Sequence, residues 1–541
     1  MTDADARSGS PGWPRVALLS LSDKSGAAEF AQELAAHGTR ILASGGTAAH
    51  LSAAGLEVMT VESWTGFAEL LGGRVKTLHP HVHAPILARR DSPADLAELA
   101  RHGLEPVDLV CVSLYPFESR AAALDDAGAI EEIDIGGVAL LRAAAKNHAS
   151  VVVLHDGSQF AGALAAYRSG GASARQRRAW AVGAFVRTAR YDAAIASELA
   201  RRTGAEEGVG AAGGTDPRDV DGASVLAVPP ALHVVALERV RTLRYGENPH
   251  QIAALYSRLG EGAKLEAWKE GKELSFNNLL DLEAAVTLAG RFDRPSCVIV
   301  KHNQPCGAAC ADTLLAAWGA ALRSDELSAF GGIVAFNRPL DRATAAAMAP
   351  IFLECVAAPS FEPEAVEALK AKKNLRLVRL TSSDLAGGDG WGLRLIGPWA
   401  LLQMDRPDTP MGWRVASRRA PAESEWAGLR FAWPVCASAR SNAIALARGD
   451  ALIGLGSGQT SRVDAVEVAL MKAKRAGHDV RGAVLASDGF FPFPDSVTRA
   501  AEAGIAAIIQ PGGSVKDAEV IAEADARGIA MVMTGLRTFR H

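Results

Sequence analysis

Residues 40–54 read Arg40-Ile41-Leu42-Ala43-Ser44-Gly45-Gly46-Thr47-Ala48-Ala49-His50-Leu51-Ser52-Ala53-Ala54. An apolar run passes through a Ser-Gly-Gly-Thr step into helical spacing. A short apolar run of this kind suits a strand buried on both faces, and the polar step that ends it opens a helix. The same alternation surrounds it. Residues 16–21 form another apolar run, residues 27–36 carry apolar side chains at helical spacing, and buried-type runs recur at 108–114 and 150–154. Strands alternating with helices predict an α/β unit, a doubly wound parallel sheet covered on both faces. Residues 159–200, rich in Ala and Arg, predict helices packed on it.

At 541 residues the chain exceeds one compact core, and about two to four domains are expected. Hydrophobic residues at 49% and charged ones at 22% describe an ordinary globular protein. A net charge of −4 gives no global attraction to nucleic acid or to an anionic membrane, so an anionic ligand must be held by local clusters. No apolar stretch approaches the length of a membrane span, and the acidic, Ser/Gly-rich start is not a signal peptide. Six cysteines without framework spacing suit free thiols in a reducing cytoplasm.

Residues 1–14 predict a disordered tail, and 15–205 a first domain. Residues 206–224 have almost nothing to bury and predict a linker or surface loop. A second α/β domain is expected over 225–541, with strands near 297–300, 332–336, 355–358, 375–380, 442–446, 451–455, 483–486, 506–510 and 529–534. Val298-Ile299-Val300-Lys301-His302-Asn303-Gln304-Pro305-Cys306-Gly307 reads as a strand delivering Lys301 and His302 into a Pro-Cys-Gly turn before a helix. The unit at 483–501 has a similar rhythm, which predicts two related subdomains.

In the first domain, Ser20, Ser22 and Lys24 follow one strand, while Ser44, Gly45, Gly46 and Thr47 follow the next. Glycine N–H groups, hydroxyls and a helix N-terminus suit a monophosphate. Arg74, Lys76 and Thr77 come after a glycine pair, Tyr115 ends a strand, Asp134 lies between isoleucines, and Lys146 ends an Ala-rich helix. A carboxylate between isoleucines needs a partner, and a Lys/Tyr/Asp/Lys set can hold an oxyanion and shuttle protons without a metal. His79, His81 and His83 alternate as zinc ligands on a strand would, but Pro80 interrupts the strand and no Cys or carboxylate follows at ligand spacing.

In the second domain, Arg244 and Tyr245 begin a dense polar turn that runs to Gln251, and Asp281 and Glu283 lie on a following helix. Phe330 and Gly331 can set an aromatic ring against a planar ligand. Asn442 starts a strand, and Gln459 lies in the Gly-rich turn 454–462, which lacks dinucleotide-binding spacing. A zinc-deaminase reading of His302, Cys306 and Cys310 lacks the H-x-E and C-x-x-C patterns. A non-catalytic nucleotide sensor is the other alternative.

The motifs Ser-Asp-Lys-Ser-Gly, Ala-Ser-Gly-Gly-Thr, Gly-Arg-Val-Lys-Thr-Leu-His-Pro, Leu-Tyr-Pro-Phe, Ile-Asp-Ile-Gly-Gly and Ala-Ala-Lys-Asn-His occur in this order. Arg-Tyr-Gly-Glu-Asn-Pro-His-Gln, Val-Lys-His-Asn-Gln-Pro-Cys-Gly, Ser-Ala-Phe-Gly-Gly and Gly-Ser-Gly-Gln-Thr-Ser-Arg follow. Together they resemble the family of bienzymes joining an inosine monophosphate (IMP) cyclohydrolase to an aminoimidazole carboxamide ribonucleotide (AICAR) transformylase. The resemblance runs from about residue 16 to the end. It implies a methylglyoxal-synthase-like N-terminal domain, tandem cytidine-deaminase-like subdomains without zinc, and a homodimer with shared transformylase sites. It implies 10-formyltetrahydrofolate as cosubstrate, AICAR, formyl-AICAR and IMP as ligands, and no required metal. Lys76, Tyr115, Asp134 and Lys146 would serve ring closure, with Ser20, Ser22, Lys24, Ser44, Gly46 and Thr47 on the phosphate. Lys301, His302 and Asn442 would serve formyl transfer, with Arg244, Tyr245 and Gln459 binding substrate. Ala84-Pro85, the segment 436–440 and Thr538 depart from the family's usual pattern.

Overall fold

A computed structural model describes residues 10–206, 235–258, 266–267, 273–385, 391–404 and 412–541. The chain forms two compact units, Met1–Ala236 and Leu237–His541. The expected linker lies, but for Glu206, outside the described residues, as do the first nine residues of the expected tail. From Ser10 the chain is docked: the Ser10 N–H donates to the His37 carbonyl at 3.1 Å, and Trp13 stacks on His37 with ring centroids 3.7 Å apart.

The first unit holds β1 (Val16–Leu21), β2 (Arg40–Ala43), β3 (Val58–Thr60), β4 (Leu109–Ser113) and β5 (Val152–Leu154). They form one all-parallel sheet in the order β3-β2-β1-β4-β5. Its side chains alternate between two apolar layers. Leu18, Val110 and Val153 face one, and Ala17, Leu19 and Cys111 the other. This is why the strands read as unbroken apolar runs. The expected doubly wound sheet is present, and its carboxyl edge is where such folds place ligands.

In the second unit, β6 (Leu237–Leu243) and β7 (Ala253–Arg258) pair as a separate antiparallel ribbon. A short β8 (Glu266–Ala267) precedes β9 (Ser296–Lys301), β10 (Gln304–Cys310), β11 (Ile333–Phe336), β12 (Cys355–Ala358) and β13 (Arg376–Arg379). A second ribbon, β14 (Trp391–Ile396) and β15 (Trp399–Met404), is followed by β16 (Arg414–Val415), β17 (Ile444–Arg448), β18 (Ala451–Gly456), β19 (Val484–Ser487), β20 (Ala507–Gln510) and β21 (Ala530–Met533).

Twelve of these strands form one sheet, β16-β21-β20-β19-β17-β18-β10-β9-β11-β12-β13-β8. Its halves repeat one pattern. An antiparallel hairpin (β9–β10 or β17–β18) is followed by an antiparallel neighbour, two parallel strands and an antiparallel edge strand. The halves meet where β10 pairs with β18 through Ala309 and Ala451. Each hairpin's second strand takes a helix at glycine contact: a Cβ at Gly307 would strike the Ala321 carbonyl, and one at Gly456 the Ala465 carbonyl. The two related subdomains expected from the sequence are thus two turns of one topology.

One local expectation is corrected. Pro305-Cys306-Gly307 is not a turn leading to a helix but part of β10, paired with β9. The turn is His302-Asn303, whose φ values of 55° and 59° mark the two-residue hairpin loop with both residues left-handed. The helix comes later, at Leu314–Ser324. A proline without an N–H fits here because the register shifts between Pro305 and Gly307.

Candidate active sites

At the carboxyl edge of the five-stranded sheet, β1 and β2 end side by side. The Ser20 and Ser44 hydroxyls lie 2.8 Å apart, and Ser44 precedes the helix Gly45–Ala53. Lys24 donates to the Ser22 carbonyl at 3.4 Å, and its chain passes the open face of Gly46. Lys76 comes from the other side: a Cβ at Gly45 would lie 2.7 Å from its Nζ. Two hydroxyls, two ammonium groups and a helix N-terminus therefore converge on glycine backbone, as a monophosphate requires. Thr47 has a different job. It is 2% exposed, and its hydroxyl accepts from the Leu21 N–H at 2.8 Å and donates to the Leu21 carbonyl at 3.2 Å, which pins the end of β1.

Asp134 stands beside the end of β4. Its Oδ1 accepts the Gly137 N–H at 2.7 Å at the start of the helix Gly136–Lys146, and the Tyr115 backbone also donates to it. Burial raises its carboxyl above the ordinary range, against those two hydrogen bonds, which lower it. The Tyr115 side chain is about half exposed. Thr77 is buried with its hydroxyl against Gly136, where a Cβ would clash. Lys76 pairs with Glu69 at 2.7 Å, and the exposed Arg74 pairs with Glu131.

Lys146 does not join this group within the chain. It sits exposed at the last position of the helix that Asp134 starts, and ten residues of rise put it about 15 Å away. The histidine run is also corrected. Residues 80–87 are helical, with Pro80 in the first turn and His79 capping it by accepting the His81 N–H, so no strand alternates the three rings.

Sequence reasoning missed Tyr191. It comes from the long helix Ala174–Glu206, is fully buried, accepts the Asp134 N–H at 2.8 Å and donates to the Glu132 carbonyl at 3.0 Å. No motif marks it, because its contact lies 57 residues away. Tyr191→Phe leaves both backbone groups without this partner in a half-buried site. It is expected to cost about 1–3 kcal/mol on thermal melting and to slow whatever chemistry Asp134 serves.

In the second unit the polar residues gather around the His302-Asn303 turn. Asp281, on the helix Phe276–Ala289, accepts the Asn303 N–H at 2.5 Å and also a backbone bond from His302. Burial raises the Asp281 carboxyl, against those bonds and the nearby imidazole. One helical turn earlier, Asn277 donates to the Glu247 carbonyl at 3.2 Å, so the same helix face ties down the loop carrying Arg244 and Tyr245. Arg244 bonds the Tyr245 hydroxyl at 2.9 Å and lies over its ring. Lys301 donates to the Phe330 carbonyl at 2.7 Å, which brings the exposed Phe330 ring and the left-handed Gly331 to the same turn.

The other repeat supplies the floor. Gln304 accepts the Arg440 N–H at 2.9 Å. Asn442 is held at both ends: its Nδ2 donates to the Gln459 carbonyl at 2.9 Å, and its Oδ1 accepts from Arg462 at 2.6 Å. Arg462 in turn pairs with the fully buried Asp488, which also accepts the Ala443 N–H at 2.9 Å. The Gln459 side chain folds back to the Ser457 carbonyl. Lys301, His302, Asn442, Gln459 and Phe330 thus share one edge of the long sheet. Arg462 and Asp488 were not among the expected site residues, although Arg462 closes the Gly-rich turn. Cys306 points into the core beside the Ile299 carbonyl, and burial pushes its thiol up to about 12. That disfavours the thiolate a zinc ligand needs. Among the described residues no group of three His, Cys, Asp or Glu is placed to hold a metal.

A family model described as AICARFT/IMPCHase bienzyme matches residues 144–472, and one described as MGS-like domain matches residues 26–139. A bifunctional purine biosynthesis protein PurH from Cyanothece sp. is 48% identical, over 98% of this chain and 100% of the relative. The protein of that name from Chloroflexus aurantiacus is 47% identical over 97% of this chain and 98% of its own length. That of Synechococcus elongatus is also 47% identical, over 98% of this chain and 100% of its own. These names lend no support to a zinc deaminase.

Proposed function

This chain belongs to the AICARFT/IMPCHase bienzyme family, and from that premise we propose how its two units divide two consecutive steps of purine biosynthesis. It is a bifunctional enzyme, an AICAR formyltransferase and an IMP cyclohydrolase. Formyl transfer is assigned to the unit from Leu237 and ring closure to the unit before it. The observation that carries the assignment is the meeting of Lys301, His302 and Asn442 at one sheet edge, with Phe330 beside Lys301.

The amine of AICAR is a weak nucleophile, because its lone pair is delocalised into the ring and carboxamide. Holding it against the formyl carbon of 10-formyltetrahydrofolate supplies much of the rate. His302 takes the amine proton and must be neutral to do so. Lys301 donates one N–H to the Phe330 carbonyl and keeps two N–H donors for the oxyanion that forms on the formyl oxygen. Asn442 has its oxygen and one amide hydrogen engaged, so its second amide hydrogen remains to orient substrate. The exposed Phe330 ring offers a face to a planar ligand, and Arg244, Tyr245 and Gln459 line the approach.

Ring closure has the carboxamide nitrogen attack the new formyl carbon, followed by loss of water. Amide nitrogen is a poor nucleophile, so the developing oxyanion needs Lys76, with Tyr115 as donor and Asp134 as proton relay. Ser20, Ser22, Lys24, Ser44 and Gly46 hold the nucleotide phosphate, and Thr47 keeps the cradle in shape. The placement of Lys146 supports no role for it at this cluster within one chain. For association we propose a homodimer. The β14–β15 ribbon supports it, with Leu395, Trp399 and Leu401 exposed by more than half. No helix among the described residues is long and apolar enough to cross a membrane, in keeping with a cytoplasmic enzyme.

The test is to mix the protein with AICAR and 10-formyltetrahydrofolate and follow IMP. Formation of IMP is expected, and binding without turnover overturns the reading. Cyclisation of preformed formyl-AICAR is expected to gain rate with rising pH on its acid side. The apparent pKa should lie above the usual carboxylate range, because Asp134 works only once ionised and burial delays its ionisation. Asp134→Asn is expected to remove that limb and most of the rate. An unchanged profile in this variant sinks the relay.

A further inference from the structure

Both residues of the His302-Asn303 turn are left-handed. Among the described residues only Leu71 joins these two as non-glycine positions with positive φ. Side chains resist this region, although His and Asn tolerate it better than most. Glycine is the usual answer, and the equivalent hairpin of the other repeat uses it: β17 turns into β18 through Gly449, at φ 55°. The first repeat forgoes that relief, since an imidazole is needed there. Something else must hold the turn.

We propose that Asp281 is the positioning residue for formyl transfer: its carboxylate gathers the backbone N–H groups of the His302-Asn303 turn and so fixes where the imidazole of His302 stands. The inference rests on the reading of this edge as the formyl-transfer site. The Asn303 N–H reaches Oδ1 at 2.5 Å, and His302 also gives the carboxylate a backbone bond. Asp281 stands on a helix packed into the core through its neighbours Leu282, Ala284 and Ala285, so it is a fixed post and not a mobile surface acid. Asn277 on the same face holds the Arg244-Tyr245 loop, so one helix sets two walls of the site. A misplacement of about 1 Å costs an enzyme about a hundredfold.

Four variants test this: Asp281→Ala, Asp281→Asn, and each combined with Asn303→Gly. Steady-state formyl transfer, cyclisation of preformed formyl-AICAR and thermal melting are read for each. Asp281→Ala is expected to lower kcat for formyl transfer by about a hundredfold, with KM for AICAR little changed and cyclisation untouched. Asp281→Asn, which keeps an acceptor oxygen, falls less. Asn303→Gly, which makes the left-handed turn easy without the carboxylate, is expected to restore part of the rate in either background. A merely structural role predicts instead that loss follows the melting temperature and that glycine restores nothing. That result, or wild-type kcat in Asp281→Ala, overturns the proposal. If Asp281→Ala does not fold, Asp281→Asn with and without Asn303→Gly reads the same question. Wild-type protein without formyl transfer, or His302→Ala retaining it, would defeat the functional reading itself and is distinct from either outcome.

Discussion

Replacing His302 by Ala is expected to lower formyl transfer by about a hundred- to ten-thousandfold, the range that a positioned general base contributes. Lys301→Ala is expected to do likewise through the oxyanion. On the proposed division the two steps use different sites, so cyclisation of preformed formyl-AICAR is expected to run at the wild-type rate in both variants. A single preparation therefore carries its own control. His302 is exposed at the tip of a hairpin, so its loss leaves no cavity, and the melting temperature is expected to hold. Loss of both activities in His302→Ala would refute the assignment of two separate sites.

The largest effect on stability is expected from Arg462→Ala. Arg462 and Asp488 are 6% and 0% exposed, and the guanidinium also binds the Ala443 carbonyl at 3.0 Å and the Asn442 oxygen at 2.6 Å. Removing it strands a carboxylate in the core, at a cost of about 3–5 kcal/mol. Arg462→Ala/Asp488→Ala is expected to recover much of that by removing the orphaned charge. It is not expected to recover formyl transfer, because Asn442 would still lack the group that holds its oxygen. Urea denaturation and the formyl-transfer assay on the single and double variants separate the two effects. If the double variant is as active as wild type, Asn442 does not depend on Arg462.

Most strands of both sheets were legible because they are buried on both faces and carry runs such as 298–300 and 507–509, which no helix period explains. The convergence of Ser20, Ser44, Lys24 and Lys76 on the Gly45-Gly46 backbone was only partly legible, because a Ser-Gly-Gly-Thr step reads equally well as an ordinary tight turn. The hairpin at 302–303 was not. Pro305 and Gly307 resemble turn residues, and only the partner strand shows that the register shift absorbs the proline. The helix at 80–87 hid for a related reason: proline breaks a strand but begins a helix. Nearness in sequence did not bring Lys146 to Asp134 within the chain, because a full helix length separates them. Tyr191 reaches Asp134 across 57 residues and Asp488 reaches Arg462 across 26, and nothing in their neighbours announces such partners.

The doubled sheet has a consequence for how this enzyme can be taken apart. The first repeat contributes the tip bearing His302, whereas the second contributes the floor of Asn442, Gln459 and Arg462, and they touch through Gln304 and Arg440. The corresponding seam at the opposite end of the β10–β18 pair, where Asp450 meets Arg294, carries an ion pair. The repeat thus makes two junctions, of which the proposed site takes one and an ion pair the other. On the proposed assignment neither repeat owns a complete workshop, so separately expressed halves are expected to be inactive until they reassemble.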